Sequence, residues 1–125
     1  MITIGKKHSI EKIVTPELTA NAAGSGGLEV FGTPFMIGMM ECAAMWCIQP
    51  ELPEGKGTVG VEISTNHLAP TPVGMKVSAT ATLRSIERRK MWFDIVVEDE
   101  NGKCGEGSHL RIMVQNKDRS KKEEN

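Results

Sequence analysis

The segment from Pro34 to Ile48 restricts the folds open to this chain more than any other. Every residue in it is apolar or glycine except Glu41. Thr33-Pro34 reads as a helix start, with Thr33 at the N-cap and Pro34 at the first helical position. Pro50 and Pro53 stop the helix after about Ile48. A helix that is apolar on all sides cannot lie on a surface; a sheet must wrap it or a partner must cover it. The run is too short to span a membrane, so a core helix of a soluble protein is expected.

The rest of the chain supplies the sheet. Residues 1–15 alternate loosely and fit a first strand, and residues 16–27 read as a short turn or helix followed by the loop Gly24-Ser-Gly-Gly. After Gly57 the period drops to two. Val59, Val61 and Ile63 alternate with Gly60, Glu62 and Ser64; Met75, Val77, Ala79, Ala81 and Leu83 alternate with polar residues. Met91, Phe93, Ile95 and Val97 mark another strand, Asn101-Gly102 a hairpin turn, and Leu110, Ile112 and Val114 a last strand. The pattern predicts an α+β fold: a curved antiparallel sheet wrapped around one long central helix. One domain is expected over residues 1–116, with a charged, disordered tail over 117–125.

Charge excludes some functions. The formal net charge is -1, which leaves no large basic footprint for nucleic acid. The three cysteines, Cys42, Cys47 and Cys104, form no Cys-x-x-Cys pair, which argues against a zinc ribbon and a disulfide framework. The N-terminus lacks the apolar run of a signal peptide, and a reducing cytoplasm is the expected location.

Glu41 is the leading candidate for chemistry. A carboxylate within an apolar helix is costly to bury unless it is paired, hydrogen-bonded or protonated. Either a structural partner satisfies it or it works as an acid or base. His67 follows the alternation of its strand and can turn inward to meet Glu41 or a substrate, unless a bulge near Pro70 reverses it; a satisfied core histidine is the alternative. Thr33 is expected to cap the helix and could also orient water or attack a carbonyl. Gly60 marks either a simple bulge or a place where a ligand approaches the backbone and accepts its N–H. Cys42 and Cys47 read as small core residues. His8 lies near a fraying end, and His109 reads as solvated or at an interface. Arg84, Arg88, Arg89 and Lys90 form a basic turn, a solvated hairpin tip or a grip for phosphate.

Three segments resemble a known family: Phe31-Gly-Thr-Pro-Phe-Met-Ile-Gly-Met-Met-Glu-Cys-Ala43, Gly57-Thr-Val-Gly-Val-Glu-Ile-Ser-Thr-Asn-His67 and Ala69-Pro-Thr-Pro-Val-Gly74. Together they resemble the fluoroacetyl-CoA thioesterases of the hotdog fold, over roughly residues 28 to 115. The resemblance implies a hotdog dimer, or a dimer of dimers, that hydrolyses a small acyl-CoA. It implies Thr33, Glu41 and His67 as catalytic residues and the Gly60 amide beside the thioester oxygen. Arg84, Arg88 and Arg89 become candidate contacts to the CoA phosphates. No metal or redox cofactor is implied, CoA being part of the substrate. The chain departs from the family at Gly24-Ser-Gly-Gly, which offers no aromatic for an apolar lid. A related acyl-CoA thioesterase is therefore expected, with its acyl group open. The competing reading is a non-catalytic acyl-CoA-binding module.

Thr33 and Glu41 stand eight residues apart on one expected helix, which is about 12 Å along its axis. If both serve one thioester, the economical arrangement takes them from two chains across a two-fold axis.

Overall fold

A computed structural model describes residues 2–116; the charged tail over 117–125 lies outside them. Five strands form a single antiparallel sheet: β1 (Lys7–Ile13), β2 (Lys56–His67), β3 (Lys76–Glu87), β4 (Lys90–Asp99) and β5 (Gly102–Gln115). Their order is β1-β3-β4-β5-β2. A short helix, α1 (Ala20–Ala23), precedes the long helix α2 (Thr33–Ile48), which packs on one face of the sheet. This is the α+β, helix-on-curved-sheet architecture that the apolar helix demanded. No helix among the described residues is long and apolar enough to cross a membrane.

The core forms where α2 meets β3 and β4. Met36, Met39, Met40, Ala43, Ala44, Cys47 and Ile48 turn one side of the helix inward. They meet Val77, Ala79, Ala81 and Leu83 of β3 and Met91, Phe93, Ile95 and Val97 of β4, all buried. Strict alternation on these strands puts every second side chain in the core. Truncating the fully buried Phe93 to alanine would cost about 3–5 kcal/mol.

On β5 the face turned to the helix is not the one carrying Ile112 and Val114. It holds Gly105, Gly107, His109 and Arg111. A Cβ on Gly105 would come within 2.7 Å of Met36 Sδ, and one on Gly107 within 3.0 Å of Met40 Cε. The two glycines thus let α2 seat against bare backbone.

β2 lies at an edge of the sheet and pairs only with β5. Its register shifts between Gly60 and Glu62, a β-bulge that inserts one residue. The insertion reverses the alternation. Gly60 faces the helix before the bulge, and Ile63 and Thr65 pack toward it afterwards. Val59 and Val61 are left 38% and 51% exposed. The bulge falls at Gly60, not near Pro70, and it is what brings His67 to the helix side.

Candidate functional site

Thr33 opens α2. The expected cap is corrected here: Gly32, in extended conformation, is the N-cap, and no side chain caps the helix. Thr33 is already helical, and its hydroxyl makes no capping bond. It meets His67 Nδ1 at 2.7 Å. The His67 ring also stands edge-on to Phe31, with ring centroids 6.4 Å apart. Its Nε2 is buried and has no hydrogen-bond partner among the described residues. Burial pushes the imidazole pKa below the ordinary histidine value. A hydroxyl bonded to a neutral imidazole is the arrangement of an activated oxygen and its base. Both side chains line a cleft of about 270 Å³ with Val30, Phe31, Leu68 and Ala69.

Glu41 lies two turns further along α2, half-buried. Its Oε2 is 2.9 Å from the point where a Cβ on Gly60 would sit; His109 Cε1 is also 2.9 Å and Arg111 Nη1 3.2 Å from that point. No side chain fits there without displacing something. Gly60 is therefore a bulge at which side chains of α2 and β5 come close to the backbone. Behind the carboxylate, Arg111 is 6% exposed. Its Nε donates to Thr58 Oγ1 at 2.8 Å, one Nη to the Thr58 carbonyl at 3.0 Å, and the other to His109 Nε2 at 3.1 Å. His109 Nδ1 donates to the Glu62 carbonyl at 2.8 Å. Burial lowers the pKa of Arg111, and the nearby Glu41 opposes that by favouring the cation. Burial also lowers the pKa of His109, so the ring is held neutral. Glu41, Cys42, Met45, Gly60 and Arg111 line a second cleft of about 410 Å³.

The model of the fluoroacetyl-CoA-specific thioesterase family matches residues 14–117. The chain belongs to this family. It is 40% identical over 86 residues to a fluoroacetyl-CoA thioesterase of Streptantibioticus cattleyicolor, a stretch that covers 69% of this chain and 62% of that relative. A solved fluoroacetyl-CoA thioesterase superposes with a TM-score of 0.90 at 30% identity, over 98% of this chain and 95% of that one. A form of that enzyme solved with fluoroacetate and CoA gives 0.86 at 31% identity, over 93% and 98%. A Thermus thermophilus member of the thioesterase superfamily gives 0.88 at 27%, over 96% and 89%. The fold is accordingly the hotdog fold of these thioesterases.

Within this family frame, one chain brings Thr33 to His67 and Glu41 to Gly60. No hydrogen bond joins Glu41 to His67. His109 and Arg111 were not read from the sequence as part of the site. His109 is not solvated: it is 1% exposed. The available signal was their spacing. Two residues apart on a strand, they share a face, and β5 pairs Arg111 with Gly60. Cys47 is buried and its thiol pKa is raised by burial, but Cys42 stands half-buried outside the core. On the basic turn, Arg84 is paired with Asp94 at 2.7 Å and lies 5.9 Å over the Trp92 ring. Arg88, Arg89 and Lys90 line a surface cleft of about 360 Å³ with Glu87 and Ile112. Arg88 is the one non-glycine residue with positive φ among those described, at 58°.

Proposed function

We propose that the protein hydrolyses the thioester of a small acyl-CoA to the free acid and CoA. The Thr33–His67 contact carries this reading: a hydroxyl bound to a desolvated neutral imidazole whose other nitrogen is buried and unpartnered, at the wall of a cleft. Family membership supplies the substrate class, and a relative solved with fluoroacetate and CoA supports a CoA thioester.

Glu41 either activates a water or attacks the thioester to give a mixed anhydride. In both routes the proton lost by the attacking water ends on the CoA thiolate, and His67 relays it: the neutral ring accepts it, from Glu41 or from the water, and the imidazolium hands it to sulfur. The Gly60 N–H faces the oxygen on which negative charge develops. The Arg111 guanidinium supplies positive charge beside the Glu41 carboxylate. The scheme runs on side chains and water, with no metal or redox cofactor. Arg88 and Arg89 are the side chains for the CoA phosphates, Arg84 being engaged by Asp94. The three free cysteines suit a cytoplasmic setting.

The active form in this reading is a homodimer. The outer edge of β2 has unpaired backbone groups and exposed Val59 and Val61, and the outward face of α2 shows Trp46 at 47% exposure. Pairing two such edges would cover that surface and bring Thr33 and His67 of one protomer toward Glu41 of its partner.

The test is CoA release from a panel of short acyl-CoAs, followed with a thiol reagent. Steady turnover of at least one thioester is expected. Saturable binding without release across the panel would replace the enzyme by an acyl-CoA-binding module.

A further inference from the structure

We propose that His109 is a positioning residue for the hydrolysis. A neutral imidazole here holds the Arg111 guanidinium beside Glu41 and, through the Glu62 carbonyl, holds the bulge that carries Gly60. The inference rests on the reading of Glu41 and Gly60 as reacting groups.

The tautomer is dictated from both sides of the ring. Nδ1 faces the Glu62 carbonyl oxygen at 2.8 Å. A carbonyl can only accept, so Nδ1 carries the proton. Arg111 Nη1 faces Nε2 at 3.1 Å. A guanidinium has donors and no acceptor, so Nε2 must offer its lone pair. An imidazolium would set N–H against N–H and place two cations side by side. The charged groups facing the ring are Arg111 on its own strand and Glu41 from α2; from β4 it meets the Phe93 ring, centroids 6.3 Å apart.

The placement gives those two bonds leverage. Arg111 is anchored to Thr58 by Nε and one Nη, and the other Nη is the atom 3.2 Å from the Gly60 Cβ position that Glu41 also approaches. Those bonds alone leave the other Nη to follow any rocking of the side chain. His109 takes that nitrogen, and the guanidinium plane is then fixed at three points. Glu62 is where the β2–β5 register resumes after the bulge. Holding its carbonyl fixes the chain leading from Gly60, and with it the direction of the Gly60 N–H. One rigid ring thus ties the guanidinium beside the carboxylate to the stretch of β2 that carries the Gly60 amide. No rotatable bond separates its donor from its acceptor.

Nitrogen-15 NMR of the imidazoles tests the tautomer in the wild-type protein, with His109→Phe used for assignment. The expected signal is a neutral Nδ1–H ring that stays neutral at pH values below the ordinary histidine range. An Nε2–H tautomer or a charged ring would overturn the proposal. Kinetics test the role. His109→Phe keeps the ring and loses both bonds; kcat should fall about 10- to 100-fold, with KM changed by no more than about threefold. In His109→Gln the carboxamide oxygen can again accept from Arg111, and several-fold recovery over His109→Phe is expected. An unimpaired His109→Phe enzyme rejects the role while leaving the function standing. So does a loss in which kcat falls, KM rises and melting temperature falls together and which His109→Gln does not relieve. Absence of CoA release by the wild type itself rejects the function, and this role with it.

Discussion

The two ends of the working face of α2 are built in opposite ways. At the N-terminus, Thr33 has one partner, His67, and the ring beyond it has a nitrogen to spare. Two turns along, Glu41 is backed by a closed chain of bonds running from Thr58 through Arg111 and His109 to Glu62. The first arrangement has an unmet valence, buried at the wall of a cleft. The second is bonded from end to end, and the Glu41 carboxylate stands beside it without a hydrogen bond to it. A site with open valence is where a substrate can be added. A saturated network is where geometry is set before the substrate arrives. In a single chain the two stand about 12 Å apart along the helix axis, so each is half of the proposed centre.

The largest expected effect is at the saturated half. Glu41→Gln preserves shape and removes the charge; kcat should drop about 10²-fold or more. Near-wild-type turnover would remove Glu41 from the chemistry and reduce its network to a structural one. At the open half, His67→Ala should cost about 10²-fold and abolish the acid limb of the pH profile. Because burial lowers the His67 pKa, that limb in the wild type should lie below the ordinary histidine range. An unchanged profile would move the proton shuttle elsewhere.

Gly60→Ala probes the space between the halves. Its Cβ would lie 2.9 Å from Glu41 Oε2. The carboxylate can swing aside, but the buried His109 ring, 2.9 Å from the same point, has little freedom, so melting temperature should fall along with an about 10-fold drop in kcat. An unaffected kcat would mean that Glu41 does not need its present position. Mixing Thr33→Ala with Glu41→Gln protomers asks whether the halves meet across chains. With free exchange of equal amounts, half the dimers are mixed and each regains one site, so about a quarter of wild-type activity should return. Confirmed exchange without recovery would place both halves within one chain.

The smallest effect is on stability. His67 and His109 both have folded-state pKa values below the ordinary histidine value, so the unfolded chain binds more protons as pH falls. Their contribution is complete above that ordinary value and is lost as pH falls through it toward the folded values. Melting temperature should decline from about pH 7.5 to about pH 5.5, less steeply in His109→Phe. A flat profile would mean that neither ring is held neutral by the fold.

How much of this could be read in advance depended on the kind of signal. The central helix and the faces of β3 and β4 followed from apolar periodicity, because burial there is uniform along each element. Glu41 stood out as the one charge in an apolar run. Its neighbours did not. His109 and Arg111 look like surface residues in a list, since only the pairing of β5 with β2 puts them behind a helical carboxylate. The bulge was harder still. One inserted residue at Gly60–Glu62 exposes Val59 and Val61 and turns His67 toward the helix, and periodicity assumes that such insertions are absent. Thr33 was misread by one helical position, and that step separates a cap from a hydroxyl aimed at an imidazole.

The seam where α2 rests on Gly105 and Gly107 also bears on how the molecule ages. The contact is made by the thioethers of Met36 and Met40 against naked backbone, with no slack at either glycine. Methionine is the side chain that conforms most readily to such a gap, and it is also one that oxidants convert to a bulkier, polar sulfoxide. A folded chain shields both sulfurs. Any excursion that lifts the helix exposes them, and a sulfoxide formed at that moment has no room to return. Oxidative damage at this seam would therefore accumulate in proportion to the time spent open, and a bound ligand that keeps the helix seated would slow it.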